Sequence, residues 1–258
     1  MHIWLINLFC DLPGEGAGEG RFLTLAKVFA EMGHEVTWWT MDFHHRSKSH
    51  RTEATRKAAE AELRPLGLSG SIRIRMIPVP GYAKNISFKR IHSHRQFASQ
   101  FLKLAGSALP AQPPDRIVVS SPPLTAGAAA LKLGQRYHCP VALDLTDQWP
   151  HTFERVLPGG TELRKRLGSL VFYPQYALAR RLYGDASLVS AVSQEYLDEV
   201  TQRFPAQKTH LCYIGGDLKP TSTRDQPASK TKFIYVGAMT GSYDLLTVLD
   251  AARLLQKE

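Results

Sequence analysis

The feature that most constrains the fold is an alternation of apolar runs and amphipathic segments that begins at the N-terminus. Residues 2–6 form an apolar run typical of a buried strand, and residues 11–20 form a loop with four glycines. Residues 22–29 place apolar side chains at positions i, i+3, i+4 and i+7, which predicts a helix. Gly33 stands where a glycine commonly ends a helix, and residues 36–40 predict a second strand. This order makes a βαβ unit, which requires a parallel sheet.

The same alternation continues to about residue 214. Further strands are predicted at 72–77, 117–119, 141–145, 187–191 and 210–214, and helices at 97–104, 124–137, 163–182 and from Ser193, as the cap, to Phe204. Pro123 is expected in the first turn of its helix, Pro174 is expected to kink the helix over 163–182, and residues 146–160 predict a long loop. The pattern predicts an α/β fold with a Rossmann-like, doubly wound parallel sheet.

The composition changes after residue 214. Residues 215–231 hold few apolar side chains and predict a linker. Residues 233–236 then predict a strand, 237–241 a loop and 243–256 a helix. Because one strand and one helix cannot bury a core, we predict a first domain over 1–214 and, in 232–258, the truncated start of a second α/β domain.

Charge and composition narrow the class of protein. Lys and Arg number 32 against 23 Asp and Glu, so the net charge is +9, while 43% of residues are hydrophobic. Such a chain is neither disordered nor fibrous, and it is expected to meet an anionic partner such as nucleic acid, a phospholipid surface or a phosphorylated substrate. We predict no transmembrane helix and no signal peptide, and the three scattered cysteines favour a cytoplasmic protein.

The glycine-rich loop over 11–20 is a candidate ligand site, because a loop between a strand and a helix N-terminus offers free N–H groups. It does not fit the dinucleotide fingerprint, since the third glycine position falls on Glu19 or Arg21. Glu15 and Glu19 disfavour a phosphate, so a hydroxyl-rich ligand fits better. We place Gly16, Gly18 and Arg21 near a reaction centre, with an ordinary surface turn as the alternative.

The histidines do not form a metal-binding pattern. His44 and His45 are adjacent, and on a strand they would point to opposite faces. His92 and His94 are two residues apart, with no cysteine or carboxylate cluster at zinc-site spacing. We therefore predict neither a metal nor another cofactor.

Several stretches together resemble family 4 glycosyltransferases of the GT-B fold, and most closely the bacterial enzymes that build surface polysaccharides. The stretches are 13–40, Phe43-His44-His45-Arg46, Ser120-Ser121-Pro122-Pro123, 144–150 with Asp147, Trp149 and Pro150, 235–238 and 243–245. They occur in the family's order along nearly the whole chain. Thr146, Gln148 and His151 depart from the family's usual residues around Asp147.

The resemblance implies two Rossmann-like domains that face each other across a cleft. The N-terminal domain would mainly hold the acceptor, and the C-terminal domain most of the nucleotide-sugar. The reaction would retain the anomeric configuration and need no metal. The family's paired glutamates would lie beyond Glu258, so this chain alone is expected to show little or no transferase activity.

The resemblance also assigns roles to residues of this sequence. Asp147 would orient an acceptor hydroxyl, although an aspartate after a strand is often a simple turn residue. His44, His45 and Arg46 would line the acceptor side of the cleft, with solvated loop residues as the alternative. The other expected substrate-binding residues are Ser121, Trp149, Gly237 and Gly241, the last two facing the phosphates.

The basic residues form three groups. They are Arg46, Lys48, Arg51, Arg56 and Lys57; Lys89, Arg90 and Arg95; and Arg164, Lys165, Arg166, Arg180 and Arg181 beside Phe172, Tyr173, Tyr176 and Tyr183. Basic side chains beside aromatic ones favour an anionic membrane surface, so we predict peripheral attachment to the inner membrane face. A solvated face is the alternative.

These observations predict a glycosyltransferase that moves a sugar from a nucleotide-sugar to a glycan or a polyprenyl-linked acceptor in surface polysaccharide synthesis. One alternative is a basic nucleic-acid-binding module, which the charge favours but no recognised motif supports, so no nucleic acid is expected as a partner. Another is a binding domain without catalytic activity.

Overall fold

A parallel sheet of seven strands forms the centre of the protein, in a computed structural model that describes residues 1–16, 20–68, 70–107, 113–154, 157, 161–215, 233–236 and 244–255. The strands, in chain order, are β1 (His2–Ile6), β2 (Glu35–Met41), β3 (Phe43–His44), β4 (Ser49–His50), β5 (Ile72–Ile77), β6 (Arg116–Ser121), β7 (Val141–Leu145), β8 (Leu188–Ala191) and β9 (Thr209–Leu211). The helices are α1 (Arg21–Glu31), α2 (Glu53–Glu62), α3 (Phe88–Ser107), α4 (Leu124–Tyr137), α5 (His151–Glu154), α6 (Thr161–Val171), α7 (Tyr173–Asp185), α8 (Gln194–Arg203) and α9 (Leu245–Leu255).

The strand order is β5-β2-β1-β6-β7-β8-β9, and every neighbouring pair is parallel. Strands β3 and β4 pair separately as a short antiparallel hairpin. Leu5 of β1 lies opposite Trp38 of β2 on one side and Val118 of β6 on the other. The sheet therefore winds outward in two directions from β1 and β6, which confirms the predicted Rossmann-like doubly wound fold.

A hydrophobic core covers each face of the sheet, because alternate side chains of a strand point to opposite faces. Ile3 and Leu5 of β1 belong to the core that includes Phe22 of α1. Trp4 and Ile6 belong to the other core, which is built largely from α3, α4 and α7. Burial of each large apolar side chain contributes about 1.5 to 3 kcal/mol to folding, so the two cores fix the sheet between its helices.

The helix boundaries agree with the predictions where local signals act. Gly33 follows α1 with φ of +81°, a conformation that a residue with a Cβ rarely adopts. Ser193 caps α8, as predicted, by accepting a hydrogen bond from the backbone N–H of Tyr196. Pro123 differs slightly, since it is the N-cap of α4 and stands just before the first turn.

Two local predictions in the first unit were wrong, and one helix was not predicted. Residues 163–182 do not form one kinked helix, because α6 ends at Val171 and α7 begins at Tyr173, with Pro174 in the first turn of α7. A proline is favourable there, since its missing N–H has no partner to lose. The short helix α5 lies within the predicted loop over 146–160, and α2 was not predicted, because Ala59 is its one buried residue.

The chain divides into a first unit, Met1–Gly216, and a second unit, Asp217–Glu258. In the second unit α9 matches the predicted helix, whereas residues 233–236 are exposed and form no strand. A strand needs a neighbour with which to exchange hydrogen bonds, and the described residues of this unit offer none. The predicted linker lies outside the described residues except for Gly215. The truncated second domain stays a prediction.

Candidate functional site

The candidate residues gather at one edge of the sheet, where the strands end. Phe9 follows β1, His45 follows β3, Tyr82 follows β5, and Asp147 and Trp149 follow β7. Carboxyl ends of parallel strands share one edge, and ligands of doubly wound sheets bind where the strand order reverses, here between β1 and β6. The fold therefore brings together segments that are far apart in the sequence.

Arg21, at the start of α1, forms a buried ion pair with Asp144 of β7. Its Nε and Nη2 donate to the two carboxylate oxygens, each at 2.8 Å, and Nη1 donates to the carbonyl oxygen of Tyr213 at 3.1 Å. Asp144 also accepts a hydrogen bond from Ser190 Oγ at 2.6 Å. The bond to Asp144 is the main cause of a raised Arg21 pKa. Arg21 thus holds α1 against β7, and its predicted role at a reaction centre stays a prediction.

The glycine-rich loop is held by a second ion pair. Glu15 accepts from Arg51 Nη2 at 2.7 Å and from Arg51 Nε at 2.9 Å, and the guanidinium is buried. Glu15 is therefore not a free negative charge. Gly16 lies so close to Asp11 that an added Cβ would be 2.5 Å from its Oδ2, while Gly18 lies outside the described residues.

A cluster of rings surrounds Arg90 of α3. The guanidinium carbon lies 5.3 Å from the ring centre of Phe9, 5.9 Å from that of Tyr82 and 5.2 Å from that of Trp149. Each contact is within the range of a cation–π interaction. His45 and His94 complete the group. We call Phe9, His45, Tyr82, Arg90, His94 and Trp149 the aromatic cluster.

The two histidines of the aromatic cluster are held neutral. Burial lowers the pKa of His94 to about 3, and the charge of Arg90 adds to this effect. Burial likewise lowers the pKa of His45 to about 4, helped by Arg90 and Lys48. His45 Nδ1 is 2.7 Å from the hydroxyl of Tyr82. Neutral imidazoles can serve as hydrogen-bond donors and acceptors at physiological pH.

A depression of about 510 Å³ adjoins the aromatic cluster, because Tyr82 of that cluster lines it together with Lys48. Its wall also carries Lys84 and Lys89 and no acidic side chain among the described residues. Lys48 Nζ lies 4.9 Å from the ring centre of Tyr82. We call this depression the lysine pocket. Its surface is suited to a negatively charged group.

Asp147 stands beside the aromatic cluster with its carboxylate positioned by two neighbours. Oδ2 accepts from Trp149 Nε1 at 3.1 Å, and Oδ1 accepts from Thr152 Oγ1 at 3.0 Å. The residue is half-buried. Each carboxylate oxygen can accept more than one hydrogen bond, so the side chain can still receive a hydroxyl of a ligand.

The other predicted residues occupy different surroundings. His44 Nε2 is 2.8 Å from Asp11 Oδ1, and the exposed Arg46 is 3.5 Å from Asp11 Oδ2. Ser121 is buried at the end of β6, where its carbonyl oxygen accepts from the backbone of Thr146. Gly237 and Gly241 lie outside the described residues.

Several side chains of the predicted basic groups form ion pairs, and some of the neighbouring aromatic side chains are buried or hydrogen-bonded. Arg56 pairs with Glu53 and Glu60 along α2, and Arg181 pairs with Asp185 at 3.1 Å. Of the aromatic residues on α7, Tyr183 is buried, and the Tyr176 hydroxyl donates to Glu154. Tyr173 is exposed, as are Leu170 and Val171 before it. The membrane surface stays a prediction.

Sequence reasoning missed four members of the site: Phe9, Tyr82, Arg90 in this role, and His94. One signal was available, because Arg90 and His94 are four residues apart on one helix and so share a face. In the described ranges no three His, Cys, Asp or Glu side chains group closely enough to hold a metal ion. No helix in the part of the chain that the structure describes has the length and apolar character to span a membrane.

Comparison with known protein families shows which family the chain belongs to. The sequence profile described as a glycosyl transferase 4-like domain matches residues 16–215, most of the chain. The chain belongs to this family. The matched region of this glycosyl transferase 4-like protein contains residues 16–20 of the glycine-rich loop, Asp147 and every member of the aromatic cluster except Phe9. A search of curated proteins found no match.

Solved structures similar to the chain include HepE from Anabaena in complex with UDP-glucose, with 14% identity, a TM-score of 0.42 and coverage of 84% of this chain and 44% of that one. UGT2 from Phytolacca americana, complexed with UDP-2fluoro-glucose and pterostilbene, has 12% identity and a TM-score of 0.48 over 86% of this chain and 55% of that one. The glycotransferase of kitacinnamycin has 13% identity and a TM-score of 0.48, over 97% and 63% respectively. The chain thus spans between 44% and 63% of the length of these proteins.

Proposed function

We propose that this glycosyl transferase 4-like protein transfers a sugar from a nucleotide-sugar to an acceptor, and that the first unit binds the acceptor. Family membership supports the transfer chemistry. The observation that carries the acceptor assignment is the aromatic cluster beside Asp147, at the edge of the sheet where doubly wound folds bind ligands. Aromatic rings offer flat apolar surfaces to a sugar, and a few polar groups fix its orientation.

In this proposal Asp147 accepts a hydrogen bond from the acceptor hydroxyl that attacks the anomeric carbon. Trp149 and Thr152 orient the carboxylate, so it needs little rearrangement when the acceptor binds. Gly16, Gly18 and Arg21 would lie near the reaction centre. Gly237 and Gly241 would face the phosphates of the donor. His44, His45, Arg46 and Ser121 would border the acceptor.

The finer assignments follow the resemblance found in the sequence. Residues 215–231 would link the acceptor-binding unit to the start of a donor-binding domain in residues 232–258. The reaction would proceed with retention and without a metal, in the synthesis of surface polysaccharides. The acceptor would be a glycan or a polyprenyl-linked sugar, used by a cytoplasmic protein loosely attached to the inner membrane face.

The test is nucleotide release from a panel of nucleotide-sugars by a protein in which this chain is continued by the proposed donor-binding domain. With an active donor identified, Asp147→Asn is expected to lower turnover by roughly a hundredfold or more, because it removes the charge that orients the hydroxyl. Asp185→Asn, which changes an exposed carboxylate on α7, is the matched control and is expected to leave turnover unchanged. Equal turnover in both variants would contradict the role of Asp147.

A further inference from the structure

Arg90 differs from the other arginines whose side chains are withdrawn from solvent. Among the described arginines that are buried or half-buried, Arg21, Arg51 and Arg56 each donate to a carboxylate, at 2.8, 2.7 and 2.6 Å respectively. Arg90 forms no ion pair with any described carboxylate. Its Nη1 donates instead to the carbonyl oxygen of Asn85 at 2.8 Å. Among these four arginines, Arg90 alone lacks a described carboxylate within ion-pair distance, and the charge of Asp147 acts on it only from farther away.

The surroundings of Arg90 add positive charge. Lys48 Nζ donates to Asn85 Oδ1 at 2.6 Å, so the backbone and side chain of one residue hold both cations. Both cations also lie within 6 Å of the ring centre of Tyr82, at 4.9 and 5.9 Å. Burial is the main cause of a lowered pKa for Arg90 and for Lys48, and Arg90 further lowers that of Lys48. Bringing two cations together in this way costs free energy unless an anion joins them.

Hydrogen bonding in the aromatic cluster is incomplete. Arg90 Nε and His94 Nε2 are both buried and have no hydrogen-bond partner among the described residues. Buried polar groups are nearly always paired, so such exceptions need an explanation. The lysine pocket is not lined by Arg90 or His94, but it lies next to them, because Tyr82 and Lys48 line it together with Lys84 and Lys89. The cluster and the pocket together form a surface that is prepared for negative charge.

We propose that the acceptor carries an oxyanion, either a phosphate or a carboxylate, which binds to Arg90 and Lys48 at the mouth of the lysine pocket. The proposal rests on the assignment of the acceptor to the first unit and names the acceptor's chemical class. Arginine binds planar carboxylates and phosphates through two parallel hydrogen bonds, while lysine acts as a point charge. The rings of Phe9, Tyr82 and Trp149 hold the guanidinium in place.

The test measures binding to the 258-residue chain by saturation-transfer NMR and titration calorimetry, at about 150 mM salt, where exposed charges are screened beyond about 8 Å. The probes are glucose 6-phosphate, glucuronate and neutral methyl glucoside. At least one of the two anions is expected to bind more tightly than methyl glucoside, and the stronger one identifies the oxyanion. Equal binding of all three probes would overturn the proposal.

Substitutions locate the site. Arg90→Gln is expected to weaken binding of the anion roughly tenfold to a hundredfold, the range for a lost hydrogen bond to a charged group. Arg95→Gln removes the same charge from an exposed position of α3 and is expected to change the affinity less than about twofold. Equal losses in the two variants would show that only net charge matters, which would overturn the site.

Lys48→Gln is a second test of the site, which can be used if Arg90→Gln fails to fold, because Lys48 lies in a separate hairpin loop. It is also expected to weaken anion binding, and unchanged affinity in a folded Lys48→Gln protein would contradict the proposal. These measurements need neither donor nor turnover. Anion binding that depends on Arg90, without nucleotide release from any donor, would reject the transferase proposal alone. Turnover with a neutral acceptor that Arg90→Gln leaves unchanged would reject the oxyanion proposal alone.

Discussion

Replacing Arg21 with glutamine is expected to destabilise the first unit by about 3 to 5 kcal/mol, the usual cost of removing one partner of a buried ion pair. The side chain of Asp144 is 1% exposed and that of Arg21 is 12% exposed, so water cannot replace the lost guanidinium. Both short bonds to the carboxylate would disappear, and only the bond from Ser190 would remain. A buried carboxylate that has lost its cationic partner and keeps a single hydrogen bond is costly in free energy.

The assay is urea unfolding at pH 7, followed by far-ultraviolet circular dichroism. Arg181→Gln is the matched control, because the Arg181–Asp185 pair is exposed, at 65% and 43%, and such pairs contribute about 0.3 to 0.5 kcal/mol. Adding Asp144→Asn to Arg21→Gln is expected to recover part of the loss, since no buried charge then remains. A loss below about 1 kcal/mol for Arg21→Gln would refute the reasoning. So would a double variant no more stable than the single one.

Two further predictions concern packing and pH. Gly20→Ala is expected to lower the free energy of unfolding by about 1 to 3 kcal/mol, because its Cβ would lie 2.3 Å from Cys10 Sγ. Gly215→Ala is the control, because a Cβ at that position would have nothing within 4 Å. Equal urea midpoints for the two variants would contradict the predicted clash. The pKa of His94 is lowered to about 3, against about 6.5 in an unfolded chain, so the unfolded state binds more protons as the pH falls below 6.5. Stability should therefore decline from pH 6.5 towards pH 3, and His94→Phe should make that decline shallower in urea unfolding at several pH values; identical slopes would contradict the assignment.

The elements that the sequence predicts well are those whose signals lie within a few residues. The alternation of strands and helices predicts the parallel sheet, because burial on a sheet and on a helix requires different spacings of apolar residues. Gly33 and Ser193 mark helix ends through their own backbone conformation and hydroxyl group. The division of residues 163–182 into two helices was missed, since a proline permits both a kink and a new first turn.

The site was only partly predictable. Asp147 and Trp149 were singled out by their resemblance to a family motif, and His45 by its position after a strand. Tyr82 and Arg90 carry no comparable local signal, because their role depends on rings supplied by other segments. The sequence also made Arg51 look like part of an open basic group. Its charge is in fact neutralised by Glu15, which lies 36 residues away in the sequence, so no local pattern could show this pairing.

The amino-acid order alone determined the class of fold, the ends of several helices and membership of a sugar-transferring family, because each depends on neighbours in the chain or on a recognisable motif. Tertiary structure decided which charged side chains form ion pairs within the fold and which do not. Arg21 forms an ion pair with Asp144, 123 residues away in the sequence, while Arg90 contacts three rings and forms no ion pair with a described carboxylate. The order of strands in the sheet determines which of these side chains come into contact, and no local sequence pattern encodes that order.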